Sequence, residues 1–211
     1  MTDKARATDS VAKTSTVESL TSEPCVMVVF GASGDLTKRL LVPALYNLAC
    51  DDLLSKQFAV LGTGRSQISN EDFRASMASK ENGLRAFHTR KEFDEEACDH
   101  LLERFYFESA NMELEDFKKL KLTVDALDKQ YQAGGNVLFY FAMAPRFFGP
   151  LCDLLYQAGF QQGEGWKRII VEKPFGTDLQ SALDLNKAIL KHWDENQIYR
   201  VDHYLGKETV Q

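Results

Sequence analysis

A series of short apolar runs, too continuous to leave one face for water, constrains this chain more than any other feature. CVMVVF (25–30), FAVLG (58–62), NVLFYFAM (136–143), KRIIVEK (167–173) and QIYRVD (197–202) lack the strict apolar–polar alternation of a half-exposed strand. Such runs are expected of strands covered on both faces. A further strand is expected near 105–109 in RFYFESA. Helical spacing separates the runs. The first helix is predicted to reach about Cys50, with Leu36, Leu40, Leu41, Ala44, Leu45 and Leu48 on one side. Two or three amphipathic helices are predicted in 70–104, one over 114–131, one from about Pro145 to Gln157, and one over 178–193 that Asp178 caps. Strands alternating with helices predict an α/β fold: a Rossmann-like, doubly wound, mostly parallel sheet with helices on both faces. Ligands of such sheets lie at the carboxyl ends of the strands. Gly31, Arg65, Pro145, Lys173 and Asp202 all fall at or just beyond the end of a run.

VVFGASGDLTK reads as strand, glycine turn, helix. Gly31 lets the chain leave the strand sharply, and Gly34 lets backbone come close to a pyrophosphate, which then meets helix N–H groups and the helix dipole. Ser33 and Thr37 are candidate hydroxyl donors. The spacing is G-x-x-G-x-x-T, a loose match to the dinucleotide fingerprint, and no P-loop is present. An NAD site normally carries an acid at the end of the second strand. Here VLGTGRSQ places Arg65 and Ser66 there. A guanidinium suits a 2′-phosphate, so NADP is favoured.

Two further groups carry chemistry. Lys173 follows RIIVE beside the expected cleft, where a lysine can bind a substrate hydroxyl or assist proton movement. E-K-P after a strand also occurs in another group of Rossmann sugar oxidoreductases. The segment RVDHYLGKE gathers Asp202, His203, Tyr204 and Lys207. On a helical turn His203 and Lys207 share a face and suit one anion; Asp202 suits the orienting of an imidazole. Tyr204 and Lys207 form Y-x-x-K, not the Y-x-x-x-K of short-chain dehydrogenases.

Composition narrows the partners. A formal charge of −6 argues against non-specific nucleic-acid binding and against anionic membranes, so any anion needs a local site. No apolar run is long enough to span a bilayer. Cys25, Cys50, Cys98 and Cys152 are scattered without C-x-x-C or metal spacing, which fits reduced, mostly buried thiols in a cytoplasmic protein. Residues 1–23, rich in Ser, Thr and small charges, are expected to be a disordered polar tail ahead of one domain over 24–211.

GASGDLTK, GRS, EKPFG and above all RVDHYLGKE resemble glucose-6-phosphate dehydrogenase, in order from about Cys25 to Gln211. The resemblance implies a cytoplasmic enzyme that oxidises glucose 6-phosphate at C1 with NADP, yielding the 6-phosphogluconolactone at the head of the pentose phosphate pathway. Gly31, Ala32, Ser33, Gly34, Asp35, Leu36, Thr37, Lys38 and Arg65 are implied to bind NADP, and Tyr140 to lie beside it. Thr37 stands where many members carry Ala. Lys173 is implied to contact substrate and coenzyme. His203, Tyr204 and Lys207 are implied to hold the sugar phosphate, with Asp202 orienting the histidine base. In the family that base is a different histidine on a second β-sheet and helix domain, through which homo-oligomers are expected. The chain is therefore expected to be a fragment of a protein more than twice its length, able to bind NADP but without its general base. His88, His100 and His192 are expected to be surface or packing residues in helical stretches. Two other readings stand beside this one: a sugar oxidoreductase of the E-K-P group using Lys173, and a non-catalytic module sensing the NADP ratio.

Overall fold

The computed structural model describes residues 21–202. The apolar runs form strands β1 (Cys25–Phe30), β2 (Phe58–Gly64), β3 (Phe105–Ser109), β4 (Val137–Phe141), β5 (Lys167–Glu172) and β6 (Ile198–Val201). They make one sheet in the order β3-β2-β1-β4-β5-β6, and every pairing is parallel. Parallel neighbours need crossovers, and helices supply them. These are α1 (Val42–Cys50), α2 (Asn70–Ala78), α3 (Leu84–Phe87), α4 (Glu95–Leu102), α5 (Leu114–Tyr131), α6 (Phe148–Gln157) and α7 (Leu179–Ile189). No helix among the described residues is long and apolar enough to cross a membrane.

The alternation of side chains along a strand builds two cores. Val26, Val28 and Phe30 of β1 pack on one face with Phe117, Leu120 and Val124 of α5 and with Phe148, Leu151 and Leu155 of α6. Cys25, Met27 and Val29 pack on the other with Leu45 and Tyr46 of α1, Phe73 of α2 and Leu101 of α4. Both faces of β1 are therefore dry, which is why its sequence shows no polar alternation. The edge strands differ. β3 and β6 keep intermediate or exposed positions such as Tyr106, Tyr199 and Arg200, because a neighbour covers only one side of each.

The first helix departs from expectation. A π-helical segment, Thr37–Leu41, precedes α1. Its wider turn shifts the register relative to a regular 3.6-residue repeat. Thr37, Leu41, Val42, Leu45 and Tyr46 are buried as a result. Leu40 (50% exposed), Ala44 and Leu48, expected inside, face outward. The amino-terminal boundary also moves. Thr21 and Ser22 bond to the carbonyls of Asp52 and Leu53, Ser22 Oγ accepts from Ser55 N at 3.0 Å, and Glu23 pairs with Arg168. The ordered domain thus begins before Pro24; the remainder of the expected tail lies outside the described residues. Asp178 caps α7, its carboxylate accepting from Ser181 N at 2.7 Å, which holds its pKa below the ordinary aspartate value.

At the opposite end of the sheet from the strand carboxyl ends, Lys167 is a buried lysine without a carboxylate partner among the described residues. Its Nζ donates to the carbonyls of Gly135 (2.9 Å), Glu164 (2.5 Å) and Gly165 (3.2 Å). Burial and then the nearby Lys121 push its pKa down. The three carbonyls oppose that by solvating the ammonium, and the ammonium ties together the glycine turns that lead into β4 and β5. Lys167→Met removes the donor and leaves the carbonyls unmatched, and is expected to cost about 3 kcal/mol. Urea unfolding of the two proteins measures it; an unchanged midpoint would contradict this role.

Candidate functional site: a dinucleotide cleft at the strand carboxyl ends

β1 and β4 are adjacent in the sheet although β2 and β3 come between them in sequence. The connections from these two strands leave toward opposite faces and open a crevice between them. Gly31 sits at its mouth with φ +84°, and a Cβ there would lie 2.4 Å from the Ala142 carbonyl oxygen. Only glycine fits both the conformation and the contact. The Gly31 and Ala32 amides donate to the Thr63 carbonyl at 3.1 and 3.2 Å, and Ala142 N donates to the Phe30 carbonyl at 2.9 Å. The turn is thus locked to β2 on one side and β4 on the other. Lys38 N bonds back to Gly34 O, beginning the helix just beyond the turn.

The cleft has a volume of about 570 Å³. Its wall includes Gly31, Ser33, Gly34, Arg65, Phe117 and Arg146. Among the described residues no Asp or Glu lines it, although the whole chain is acidic. The nearby Asp116 carboxylate is engaged behind Asn111, accepting from its backbone N (2.9 Å) and Nδ2 (3.2 Å). Among the described residues, Arg65 and Arg146 have no carboxylate within ion-pair distance. Thr63, 2% exposed, also lines the cleft, and its hydroxyl has no hydrogen-bond partner. A buried hydroxyl left unmatched is rare and marks a place where a further polar group belongs.

The residues expected to bind coenzyme divide by position. Gly31, Ser33, Gly34 and Arg65 line the cleft. Ala32 does not: it is fully buried, and it lies under Gly62 with no room for a side chain between them. Thr37 is buried and its hydroxyl donates to Gly31 O at 3.4 Å, so it braces the turn instead of facing an anion. Asp35 pairs with Arg39 at 3.3 Å on the outside of the helix. Leu36 packs against the α1 core, and Lys38 is half-buried away from the lining. Tyr140, expected beside the coenzyme, is buried, and its hydroxyl donates to the carboxylate of Glu172. Because strand side chains alternate, Tyr140 points to the sheet face opposite Phe139 and Phe141.

The second expected cluster is partly described. Glu172 pairs with Val201 across β5 and β6, so Lys173 and Asp202, the next residue on each strand, emerge side by side. Their side chains form an ion pair. His203, Tyr204 and Lys207 lie outside the described residues. Of the other histidines, His192 bonds Asp153 at 2.9 Å and stacks on Tyr156, while His88 packs on Phe93 after the end of α3. His100 lies in α4. Arg146, Thr63 and Glu172 went unremarked in the sequence reading. Arg146 had a signal, standing one residue after a strand-end proline already noted.

The strand order, the glycine turn at its switch point and the acid-free cleft define a dinucleotide-binding domain of the Rossmann class. Residues 28–211 match the family described as "Glucose-6-phosphate dehydrogenase, NAD binding domain", and the chain belongs to that family. It is 42% identical over 192 residues to the glucose-6-phosphate 1-dehydrogenase of Aggregatibacter actinomycetemcomitans, covering 90% of this chain and 38% of that protein. With the Bacillus subtilis (strain 168) glucose-6-phosphate 1-dehydrogenase it shares 39% over 187 residues, covering 88% and 36%. A solved structure titled as glucose-6-phosphate dehydrogenase in complex with its substrate glucose-6-phosphate superposes with a TM-score of 0.78 at 32% identity, covering 89% of this chain and 38% of that one. The Mycobacterium avium glucose-6-phosphate 1-dehydrogenase structure gives 0.73 at 30%, covering 87% and 37%. The chain spans little more than a third of the length of these relatives.

Gly31→Ala tests the turn. Forcing a Cβ into a left-handed backbone against a carbonyl is expected to cost at least about 2 kcal/mol and to abolish dinucleotide binding. Thermal unfolding and a fluorescence titration with NADPH read the two effects. Full binding by a stable variant would refute the account.

Proposed function

We propose that this chain is the coenzyme-binding part of an NADP-dependent oxidoreductase that oxidises D-glucose 6-phosphate at C1 to 6-phospho-D-glucono-1,5-lactone, the opening step of the pentose phosphate pathway. The observation that carries it is the cleft itself: a glycine turn without space for a Cβ, flanked by arginines and, among the described residues, free of acids, in a chain of this family. The relatives' names and the substrate in one neighbour's title support the sugar phosphate.

The residues present fit the dinucleotide. The amides beyond Gly34 and the start of the helix meet the pyrophosphate. Arg65 stands where the 2′-phosphate of NADP falls, and the end of β2 offers no acid to a free ribose hydroxyl pair. When bound, the coenzyme supplies the acceptor for hydride leaving C1. The chain's own groups do the rest by position. Lys173, at the end of β5, holds a substrate hydroxyl and keeps the sugar against the cleft. Asp202 fixes Lys173 through their ion pair and orients the histidine that draws the C1 hydroxyl proton. His203, Tyr204 and Lys207 grip the sugar phosphate. A cytoplasmic setting belongs to the same reading. Burial raises the Cys25 and Cys152 thiols to about 12 and that of Cys98 to about 11, so all three stay protonated near neutral pH.

Calorimetry with NADP and NAD tests the coenzyme. NADP is expected to bind more tightly, and Arg65→Gln is expected to weaken NADP by roughly 10- to 100-fold, as for loss of a charge-assisted pair, with little effect on NAD. Tighter binding of NAD by the unsubstituted chain would overturn the proposal.

A further inference from the structure

The cleft contains two arginines, and the proposed function uses only one. Arg65 follows β2 and Arg146 follows β4, so they stand on either side of the β1 glycine turn. Several observations set Arg146 apart from a solvated surface arginine. Its guanidinium lies over the Phe147 ring, 4.8 Å from the centroid, and Phe147 is itself part of the cleft wall. Pro145 opens the short 3₁₀ turn that carries it, Pro145–Phe147, and so narrows the backbone's freedom there. The segment leading to it is pressed against the glycine turn: the Gly31 Cβ position lies 2.4 Å from Ala142 O and 3.6 Å from Met143 Cβ. Among the described residues no carboxylate pairs with it, and none lines the cleft.

Arg146 also belongs to a second cavity of about 400 Å³, shared with Pro145, Gly149, Gly176, Thr177, Ser181 and one acid, Asp184, which makes no ion pair with it. Gly176 and Thr177 follow shortly after Lys173. A ligand reaching from the glycine turn toward the Lys173 side therefore passes Arg146. The portion of a dinucleotide at the glycine turn is its pyrophosphate, a dianion that the helix N–H groups approach from one side only.

We propose that Arg146 binds the coenzyme pyrophosphate from the β4 side of the cleft, opposite the helix amides, while Arg65 takes the 2′-phosphate from the β2 side. The inference rests on the dinucleotide reading above and deepens it. The two guanidiniums have separable tasks. Arg65 distinguishes NADP from NAD; Arg146 serves both, since both carry the pyrophosphate.

The test is a calorimetric titration of the 211-residue chain and its Arg146→Gln and Arg146→Lys variants with NADP, NAD and adenosine 2′,5′-bisphosphate, which has the 2′-phosphate but no pyrophosphate. Arg146→Gln is expected to weaken NADP and NAD alike by about tenfold, to leave their ratio unchanged, and to alter bisphosphate binding by less than about twofold. Arg146→Lys, which keeps the charge and loses the fork, is expected to recover part of the loss. Arg146 is exposed, so the urea midpoint should hold in both variants. Unchanged affinity for both dinucleotides would overturn the inference and leave the dinucleotide reading standing. A fall in the NADP-to-NAD ratio with matching loss of bisphosphate binding would also overturn it, by making Arg146 a 2′-phosphate residue. Failure of the unsubstituted chain to bind either dinucleotide would bring down the dinucleotide reading, and this inference with it.

Discussion

The closure of the glycine turn between two strands is the constraint on which the site depends. The Thr63 carbonyl takes both the Gly31 and Ala32 amides, and Ala142 N bonds to Phe30 O on the other side. Those contacts hold β1, β2 and β4 at one level where the order of the strands reverses. They also consume the first two amides of the turn, so Gly31 and Ala32 act by shape and not as anion donors. The hydrogen-bonding capacity left for a ligand begins at Ser33 and the helix beyond it. Thr37 belongs to the same brace, since its hydroxyl returns to Gly31 O. A turn fixed from three directions presents its remaining amides without reorganisation, which is what an anion site requires.

Much of the fold was legible because burial leaves a direct trace in residue type. β1 is dry on both faces and β4 nearly so, and their sequences say so. Helix α5 coincides with its predicted limits, 114–131, because its apolar positions recur at Phe117, Leu120, Val124 and Leu127. The first helix was legible in existence but not in facing. A π-helical turn adds a residue to the repeat without marking the sequence, so Leu40 and Leu48 were placed inside when they lie outside. The residues at 21–23 were obscured for another reason. Their anchoring runs through side-chain and backbone contacts to 52–55 and 168, which no local pattern encodes.

The site shows the same division. Gly31 and Arg65 announce themselves, because a backbone need and a fixed charge are properties of single residues. Tyr140 and Ala32 rest on resemblance and Thr37 on its hydroxyl as well, and the sheet's alternation and the turn's closure assign their side chains elsewhere. Glu172 illustrates the converse. In sequence it is only the first letter of EKPFG; in the fold it is a buried carboxylate that receives the Tyr140 hydroxyl across neighbouring strands. That bond joins β4 to β5 immediately before the residues that open toward the cleft. The motif is thus half structural, with Glu172 seating the strand end from which Lys173 projects.

Charge is arranged locally against the average of the chain. With 31 acidic and 25 basic residues, the mean field repels anions. Within the cleft the sign is reversed, because Arg65 and Arg146 line it and, among the described residues, no carboxylate does; Asp116 and Asp35, beyond the wall, are paired with Lys119 and Arg39. Glu172 is turned to the other face and held by Tyr140. An anion approaching within about 8 Å, roughly a Debye length at physiological salt, senses the two free guanidiniums before the distant acids. Low net attraction outside and strong attraction inside favour recognition by a shaped site over loose binding to any polyanion. It follows that selectivity among nucleotides rests on where the guanidiniums stand relative to the glycine turn. The parallel strand order fixes those positions by holding the ends of β2 and β4 on either side of β1.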